Sequence, residues 1–470
     1  SIATSADAYA APGSTANVVL LSGPSPSSAV IPGNGGYAQF TWTFSADGSG
    51  AVWFNASAYT GAISSPVGSG NTVTVQSQPA LTISYQPIVS PKSVGQQITV
   101  IMNVNNSGEA AANNTVPLVT VIGDASSLTL ISGPVPGAAN ITGGSSAAYT
   151  WRYSTTNTGT VSFYGEAQGA DANSGLIKTA APVTSSQVIL QSPATLTANL
   201  LLPSTVSLYQ VYTVVMQVSN TGSAAAVNVA PPSALNLTGS TGSSIKVSGP
   251  APAVQTIAGS SSAFFTWTYS AVGTGSMNFS GNAAGTDGNS GAVVTSTNAS
   301  RGLIIEKASK LTSVITASPD PAKTGEQVTV IMAVSNETGA ATAMNVSVTP
   351  QALEVVVDGL ARTVNTVSIP SPVSRNISGG LVSYFTWVYQ LGSGNGSVSF
   401  SANAIGTDGN AGWAVQSGKV SGNIVEVNDS AVLASELSVN ASTVSAGQFI
   451  TVYMTVTNSG TAIANVVVPN

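Results

Sequence analysis

Two short motifs recur four times along the chain at a nearly fixed period, and this repetition limits the possible folds more than any other feature. The first motif is aromatic-Thr-Trp-x-aromatic, and its copies are 40–44, 149–153, 265–269 and 385–389. The second is a strand-like segment ending in methionine, and its copies are 98–102, 212–216, 328–332 and 450–454. Successive tryptophans are 109, 116 and 120 residues apart, and successive methionines are 114, 116 and 122 apart. The sequence therefore predicts a tandem array of units of about 115 residues.

The pattern inside each unit is that of an all-β fold. In the first methionine motif, Ile98, Val100, Met102 and Val104 alternate with residues such as Thr99, and such alternation is typical of a strand with one buried face. Turns rich in Asn and Gly follow, because these residues adopt the positive φ that tight turns need. Short strands in units of this size predict immunoglobulin-like β-sandwiches. Each motif tryptophan is then expected between the two sheets.

The order of the motifs predicts that one unit is divided between the ends of the chain. The chain begins with the motif of Trp42 and ends with that of Met454, although within a unit the methionine strand comes first. The sequence at the C-terminus also continues as it does within a unit, since 465–469 parallels 228–231 with one residue inserted. The expected segments are 1–79 (C-terminal part of a split domain), 80–193, 194–308 and 309–429 (immunoglobulin-like domains), and 430–470 (N-terminal strands of the split domain). The fold class is therefore all-β, with tandem immunoglobulin-like β-sandwich domains in a rod and a fourth domain split between the termini.

A divided sandwich predicts association. Each half leaves a core face and strand edges without partners, which is costly in water. The C-terminal strands of one subunit can complete the N-terminal half of the next, a head-to-tail contact that propagates into a filament. Alternatively, the 470 residues are one period of a longer covalent chain, or an arbitrary fragment. The candidate subunit-interface residues are Phe449, Thr451, Tyr453, Met454, Val456, Val466, Phe40, Trp42, Phe44 and Trp53.

The composition argues against most kinds of chemistry. The chain has 11 Lys and Arg, 17 Asp and Glu, no His and no Cys. Without His and Cys there is no Cys/His zinc site, Ser-His-Asp triad or imidazole base, so we expect no enzyme, no catalytic residues, no metal and no cofactor. A net charge of −6 disfavours nucleic acid as a partner, and the absence of any apolar run of 18 residues disfavours a membrane span. A chain with few charged and many hydroxyl side chains is best suited to the cell surface or another extracellular location.

Two loops with the sequence Thr-Asp-Gly-Asn look like calcium loops, which use oxygen ligands on a tight turn. They contain Asp287 with Asn289 and Asp408 with Asn410, and a similar loop contains Asp171. One carboxylate per loop is too few for a closed calcium site, and Asp-Gly-Asn is common in turns. The turn interpretation is therefore favoured.

Asparagine in the Asn-x-Ser/Thr pattern is frequent and indicates covalent glycans. Surface glycans would also help to keep a chain with so few charged residues soluble. Ordinary turn asparagines are the alternative. The glycosylation candidates are Asn55, Asn105, Asn113, Asn140, Asn236, Asn278, Asn298, Asn336, Asn345, Asn376, Asn395, Asn428 and Asn440.

The units resemble the bacterial and archaeal cell-adhesion-related domain of the CARDB type. The resemblance rests on Val-Thr-Val-x-Met-x-Val-x-Asn at 328–336 and on the Gly-Thr-Asp-Gly-Asn segments at 285–291 and 406–412. It implies immunoglobulin-like surface modules of adhesins, surface layers or fibres, and it carries no catalytic residues. The divided unit departs from what a simple adhesin stalk would have.

These observations predict a structural subunit of an extracellular filament or surface fibre. Its main partner would be another copy of itself, head to tail, and cell-surface molecules or neighbouring filaments would be further partners. The alternative is the stalk of a cell-surface adhesin or surface-layer protein, as one segment of a longer repeat chain.

Overall fold

The strands fall into five groups along the chain. The computed structural model describes residues 3–239, 241–359 and 363–470, so the first two residues of the expected segment 1–79 lie outside it. Within the described part the secondary structure is β-strand apart from one 3-10 turn, Ala125–Ser127. This confirms the all-β prediction. Three of the groups form two-layered sandwiches, which we call sandwiches 1, 2 and 3.

The first group, called the N-terminal segment, forms two separate sheets. Strand β4 pairs with β1, β5, β6 and β7, and β2 pairs with β3. The strands are β1 (Ala3–Ala10), β2 (Asn17–Ser25), β3 (Thr41–Asp47), β4 (Gly50–Thr60), β5 (Ile63–Ser64), β6 (Gly68–Ser69) and β7 (Val73–Val75).

Sandwich 1 packs the sheet β8-β10-β14-β12 on the sheet β13-β11-β15-β18-β9, to which β16 and β17 add at β15. Its strands are β8 (Leu81–Tyr85), β9 (Lys92–Ser93), β10 (Gln97–Asn106), β11 (Ala112–Gly123), β12 (Leu128–Val135), β13 (Ala139–Ile141), β14 (Ser146–Thr155), β15 (Gly159–Asp171), β16 (Ile177–Thr179), β17 (Val183–Thr184) and β18 (Val188–Gln191).

Sandwich 2 has the corresponding first sheet, β19-β21-β26-β24, and two smaller sheets, β20-β30-β27-β23 and β25-β22-β28-β29. Its strands are β19 (Leu196–Leu201), β20 (Thr205–Ser207), β21 (Val211–Asn220), β22 (Ala226–Ala230), β23 (Asn236–Gly239), β24 (Ser243–Ala251), β25 (Gln255–Ile257), β26 (Ser261–Gly273), β27 (Gly275–Gly281), β28 (Ala284–Asp287), β29 (Val293–Thr295) and β30 (Ala299–Glu306).

Sandwich 3 packs β31-β33-β37-β35 on β32-β40-β38-β34-β36, with β39 on β38. Its strands are β31 (Leu311–Ser318), β32 (Ala322–Lys323), β33 (Gln327–Asn336), β34 (Ala343–Gly359), β35 (Val364–Ser371), β36 (Ser374–Ile377), β37 (Val382–Leu391), β38 (Gly396–Asp408), β39 (Ala414–Ser421) and β40 (Val425–Asn428).

The last group is a two-stranded hairpin, called the C-terminal hairpin. It consists of β41 (Leu433–Val439) paired with β42 (Val452–Asn458).

The alternation of the methionine strand decides which side chains form each core. In β10 the inward residues Ile98, Val100, Met102 and Val104 are buried, as the sequence pattern predicted. The strand lies between β8 and β14, so its backbone is paired along both edges. The motif tryptophans of the three sandwiches, Trp151 among them, are also buried, which confirms the core interpretation.

An aromatic pair connects the two layers of every sandwich. In sandwich 1 the ring centroids of Tyr153 and Phe163 are 5.3 Å apart, and in sandwich 3 those of Tyr389 and Phe400 are 4.7 Å apart. Such pairs add stability beyond the area that they bury. They fix the spacing between the tryptophan strand and the strand that follows it.

The core role of the tryptophans predicts a large effect of truncation. Changing Trp267→Ala removes a fully buried indole and should lower the stability of sandwich 2 by about 3–5 kcal/mol, because a cavity replaces it. Differential scanning calorimetry of the full chain should show one transition moved to lower temperature. Trp413→Ala, at an exposed tryptophan, is the matched control and should leave the profile unchanged. Equal effects of the two substitutions would contradict the assignment.

Candidate functional site

Two sheets in the described part of the chain each have only two of the four strands that form the first sheet of a sandwich. In the sandwiches the methionine strand is hydrogen-bonded to the tryptophan strand, as β10–β14, β21–β26 and β33–β37. Among the described residues, β42, which carries Met454 of the fourth methionine motif, pairs only with β41. In the same part of the chain β3, which carries Trp42 of the fourth tryptophan motif, pairs only with β2. The two free edges therefore belong to the same pair of motifs.

The inward-facing positions of β42 are exposed. The exposed fractions of Val452, Met454 and Val456 are 57%, 44% and 38%. The corresponding residues of β10, which are Val100, Met102 and Val104, are 0% exposed. Exposed apolar side chains in a row on one strand are typical of an interaction surface.

The N-terminal segment has an apolar groove where the methionine strand lies in a sandwich. The groove has a volume of about 510 Å³, and its lining includes Phe40, Trp42, Phe44, Phe54 and Ala56. The rings of Phe44 and Phe54 are 4.8 Å apart, so the aromatic pair of the sandwiches is already formed in this segment. We call this cavity the aromatic groove.

Comparison with the sandwiches indicates which side chain fits the aromatic groove. In sandwich 1 the sulfur of Met102 lies beside Gly165, and in sandwich 2 the terminal methyl of Met216 lies beside Gly281. By its position in the strand after the tryptophan motif, Ala56 corresponds to these glycines. The groove is therefore at the place that a methionine side chain occupies in the sandwiches.

The structure separates the candidate interface residues into two faces. By correspondence with β10, Met454 and Val456 have the inward direction, whereas Phe449, Thr451 and Tyr453 correspond to the outward-facing positions. Because Phe449 occupies the position that exposed Gln97 and Val211 occupy in the sandwiches, completing the sheet would not bury it.

Trp53 and Val466 have positions that the sequence pattern did not predict. Trp53 does not face the aromatic groove, because it alternates with the inward-facing Val52 and Phe54 and instead stacks on Tyr9, with ring centroids 6.1 Å apart. Val466 has a positive φ of 57°, as Asn114 and Asn228 have at the β-bulges of β11 and β22. Val466, rather than Asn465, therefore corresponds to Asn228, one residue later than the sequence pattern predicts.

A second set of polar contacts joins consecutive sandwiches. At the joint between sandwiches 1 and 2, the hydroxyl of Ser93 donates to both carboxylate oxygens of Asp287, at 2.9 and 3.1 Å. The backbone N–H of Ala194, in the connection between the two sandwiches, donates to the same carboxylate at 2.7 Å. The side-chain amide of Asn289 donates to Gln191 at 2.9 Å. One aspartate thus holds both sandwiches and their connection.

The joint between sandwiches 2 and 3 repeats this arrangement. Ser207 donates to Asp408 at 2.8 Å, and the N–H of Ser309 donates to the same carboxylate at 2.7 Å. Asn410 donates to Glu306 at 2.8 Å. The loops that resemble calcium loops are therefore occupied by contacts within the protein, which favours the turn interpretation of the sequence.

The charge of these buried carboxylates is stabilised by their donors. Burial raises the pKa of Asp287, but hydrogen bonds from the Ala194 and Ser290 N–H groups and from the Ser290 and Ser93 hydroxyls outweigh it, so the pKa lies below its usual range. The pKa of Asp408 is lowered in the same way. Among the described residues no group of three or more acidic or His/Cys side chains is placed to hold a metal ion.

The joint between the N-terminal segment and sandwich 1 has only some of the hydrogen bonds that the other two joints have. Asn173 donates to Gln76 at 3.0 Å, as its counterparts do. Asp171 is buried and accepts from the N–H groups of Asn173 and Ser174 at 2.8 and 3.0 Å. The residue in the place of Ala194 is Pro79, which has no N–H to donate.

Most glycosylation candidates lie on the surface. Four are half-buried: Asn55, Asn113, Asn395 and Asn428. Eight are exposed: Asn105, Asn140, Asn236, Asn278, Asn298, Asn345, Asn376 and Asn440.

Asn336 is a correction to the glycosylation candidates. It is 2% exposed, and its side-chain amide donates to the carbonyls of Ala341 and Ile377 at 2.8 and 2.9 Å. Its oxygen accepts from the N–H of Lys310. A glycan on this nitrogen would break the packing between strands, so the folded chain does not present it. The sequence pattern alone does not distinguish such a structural asparagine from an acceptor.

No protein-family model and no curated protein matches the chain, so the CARDB resemblance stays a prediction. Several solved structures are similar to it at low identity. A putative membrane-anchored protein from Corynebacterium diphtheriae is 12% identical, with 73% of this chain and 96% of that chain covered and a TM-score of 0.19. The ICAM-5 D1–D4 ectodomain fragment is 13% identical, with 90% and 95% covered and a TM-score of 0.27. A type II cohesin dyad from the ScaA scaffoldin of Acetivibrio cellulolyticus is 11% identical, with 49% and 98% covered and a TM-score of 0.14.

With TM-scores this low, the likeness carries no argument about function. The immunoglobulin-like fold rests on the strand order described above. In the part of the chain that the structure describes, no helix is long and apolar enough to span a membrane.

The lowered pKa of Asp287 predicts an acid-sensitive joint. Because its folded pKa lies below the unfolded value of about 3.9, its contribution to stability is present above about pH 4 and is lost as pH falls through the folded pKa. Hydrogen exchange at Ser93–Gln96 and Ala194, corrected for intrinsic rates, should therefore accelerate below about pH 4.

The variant Asp287→Asn should exchange faster at these residues already at pH 7 and respond little to acid. Asp47→Asn, at an exposed aspartate whose side chain accepts a hydrogen bond from the N–H of the adjacent Gly48, is the control. An acid response that is unchanged in Asp287→Asn would contradict the role of this carboxylate.

Proposed function

We propose that the protein is a structural subunit of an extracellular filament or surface fibre. Its C-terminal hairpin would complete the N-terminal segment of the next copy, head to tail. The observation that carries the proposal is the pair of matching free edges on β42 and β3. Joining them gives the order β41-β42-β3-β2, which is the order of the first sheet in all three sandwiches.

The sandwiches also supply the register of the proposed pairing. Val100 lies opposite Trp151 and Met102 opposite Tyr149, and the other two sandwiches have the same pairing of their motifs. In the same register Val452 lies opposite Trp42 of the next copy, and Met454 lies opposite Phe40. The Met454 side chain then enters the aromatic groove.

An asparagine whose side-chain amide has one of its two usual acceptors supports the same contact. In the sandwiches, a buried asparagine at the end of the methionine strand donates to two carbonyls, as Asn106 does to Ala110 and Ile141. Asn458 holds this position, and within the described residues its amide donates only to Ala462. The second carbonyl belongs to the part of a sandwich that the N-terminal segment would supply.

The energetics favour a stable contact. Burying an apolar side chain such as Val452 or Met454 contributes about 1.5–3 kcal/mol, and the sheet edges gain backbone hydrogen bonds in place of contacts with water. An exchange of about 40 residues buries on the order of 2,000 Å² or more, which is typical of obligate assemblies. The contact would therefore persist at low protein concentration.

The alternative is that the chain is one segment of a longer repeat protein, such as the stalk of a surface adhesin. The same sheet would then close between covalently continuous segments. The denatured mass of native material distinguishes the two arrangements. A species near 46.6 kDa plus any sugars, from material that is filamentous before denaturation, supports non-covalent assembly, and a species of several hundred kDa supports the longer chain.

The proposed register predicts an efficient disulfide cross-link. By analogy with Thr99 and Arg152, Thr451 should lie opposite Thr43 of the next copy, at a spacing that a disulfide can bridge. The variant Thr451→Cys/Thr43→Cys should give a ladder of multiples of the subunit mass on non-reducing gels. The chain has no other cysteine, so the background is low.

The matched control is Thr451→Cys/Gln39→Cys, because Gln39 is four residues from the predicted partner and should give no ladder. A chain lacking 430–470 should not polymerise. Equal ladders from both cysteine pairs, cross-linking within single chains only, or filaments formed by the truncated chain would each overturn the proposal.

We also infer that the exposed Asn-x-Ser/Thr sites carry N-linked sugars, which accords with the proposed extracellular location. The low charge of the chain leaves its solubility dependent on other polar groups. Mass spectrometry of peptides from native material should find glycans at exposed sites such as Asn298 and none at Asn336. A glycan on Asn336, or unmodified peptides at all exposed sites, would contradict the inference.

A further inference from the structure

The two joints that contain a buried aspartate use the same four residue types. A serine and a glutamine on one sandwich face an aspartate and an asparagine on the next. The glutamine side-chain amide donates to the asparagine carbonyl, at 3.3 Å in the first joint and 3.2 Å in the second. The sets are Ser93, Gln96, Asp287 and Asn289, and Ser207, Gln210, Asp408 and Asn410.

The serine and glutamine form a local turn that prepares both groups for this contact. The N–H of Ser93 donates to the side-chain oxygen of Gln96 at 2.7 Å, which leaves the hydroxyl and the side-chain N–H₂ directed outward. The C-terminal hairpin group has the same turn, in which Ser445 donates to Gln448 at 2.9 Å. Ser445 is exposed, and no aspartate among the described residues accepts from its hydroxyl.

A matching acceptor occurs in the loop 171–175 at the end of β15. Asp171 is only 3% exposed and has the same contacts to its own loop as Asp287 and Asp408. In the part of the chain that the structure describes, no serine from a preceding unit donates to it. Asn173 already contacts Gln76 of the N-terminal segment, so one half of the joint is present within the chain.

We propose that Ser445 and Gln448 of a second copy of this chain bind the loop 171–175. This contact would fix sandwich 1 relative to the domain that the hairpin of the second copy forms with the N-terminal segment. The Ser445 hydroxyl donates to the Asp171 carboxylate, and the Gln448 amide donates to the carbonyl of Asn173. The proposal rests on the proposed function, since Ser445 reaches this loop when the hairpin completes the N-terminal segment. In sandwich 1, Ser93 pairs with Gln191, so Ser445 would lie beside Gln76.

The remaining joint, after sandwich 3, supports this matching because it lacks both sides of the contact. The position of Ser93 is taken by Lys323, and that of Gln96 by Glu326, whose carboxylate accepts from the Lys323 N–H and which lacks the side-chain N–H₂ of glutamine. In the proposed filament the acceptor loop of this joint would be the turn 60–63 of the next copy, and this turn contains no carboxylate. Donors and acceptor are therefore present together or absent together at each joint.

Hydrogen exchange of assembled, full-length protein tests the proposal. In Ser445→Ala filaments, the amides of 171–176 should exchange about tenfold faster than in the unaltered protein, because a hydrogen bond to a buried charge is lost. The strand at 450–458 should keep its protection. Ser445→Thr, which restores a hydroxyl, should restore slow exchange in the loop.

Two controls calibrate the measurement within the same chain. Ser93→Ala removes the corresponding contact inside one chain and should accelerate exchange at 287–292, whereas Ser442→Ala should change neither loop. Unchanged protection of 171–176 in Ser445→Ala, with 450–458 still protected, would overturn the proposed joint contact and leave the filament contact standing. Loss of protection at both 171–176 and 450–458 would also overturn it, because Ser445 would then support the hairpin itself. Failure of the unaltered protein to protect 450–458 on assembly would overturn the proposed function itself.

Discussion

The pairing of the methionine strand with the tryptophan strand is the interaction on which each unit depends. In the sandwiches this strand lies between two neighbours, so its backbone groups are bonded on both edges and its inward side chains are buried. The two strands are about 50 residues apart in sequence, and the pairing is therefore non-local. Where it is absent, as at β42, the same sequence pattern leaves Val452, Met454 and Val456 exposed. The proposed assembly follows from this difference in burial.

The joints depend on a second constraint, the cost of burying a charge. Asp287 and Asp408 are almost completely buried, which is tolerated because amide and hydroxyl donors surround the carboxylates. The donors come from two sandwiches and from the connection between them. If the sandwiches moved apart, a carboxylate would lose several of these donors at once. A charge that is satisfied only in one arrangement thus favours that arrangement.

The proposed function is built from packing and hydrogen bonds, without reactive groups. Serine, asparagine and glutamine provide directional contacts without charge, so they specify which surfaces meet. Apolar strands provide most of the free energy of contact. With this division, a chain with 28 charged residues out of 470 would still specify the proposed partner. The division also explains why exposed polar loops, rather than a pocket, are its most informative sites.

The sequence by itself determined the repeat, the all-β class, the inward residues of the methionine strands and the core tryptophans, because period and alternation are local properties of the chain. It also predicted the division into five segments and the candidate glycosylation sites. It did not distinguish the structural Asn336 from a surface asparagine, or the outward Trp53 from an inward one, since both depend on contacts with distant strands. The role of Asp287 was equally hidden: Ser93 is 194 residues away in sequence, and only the packing of two sandwiches brings the two side chains together.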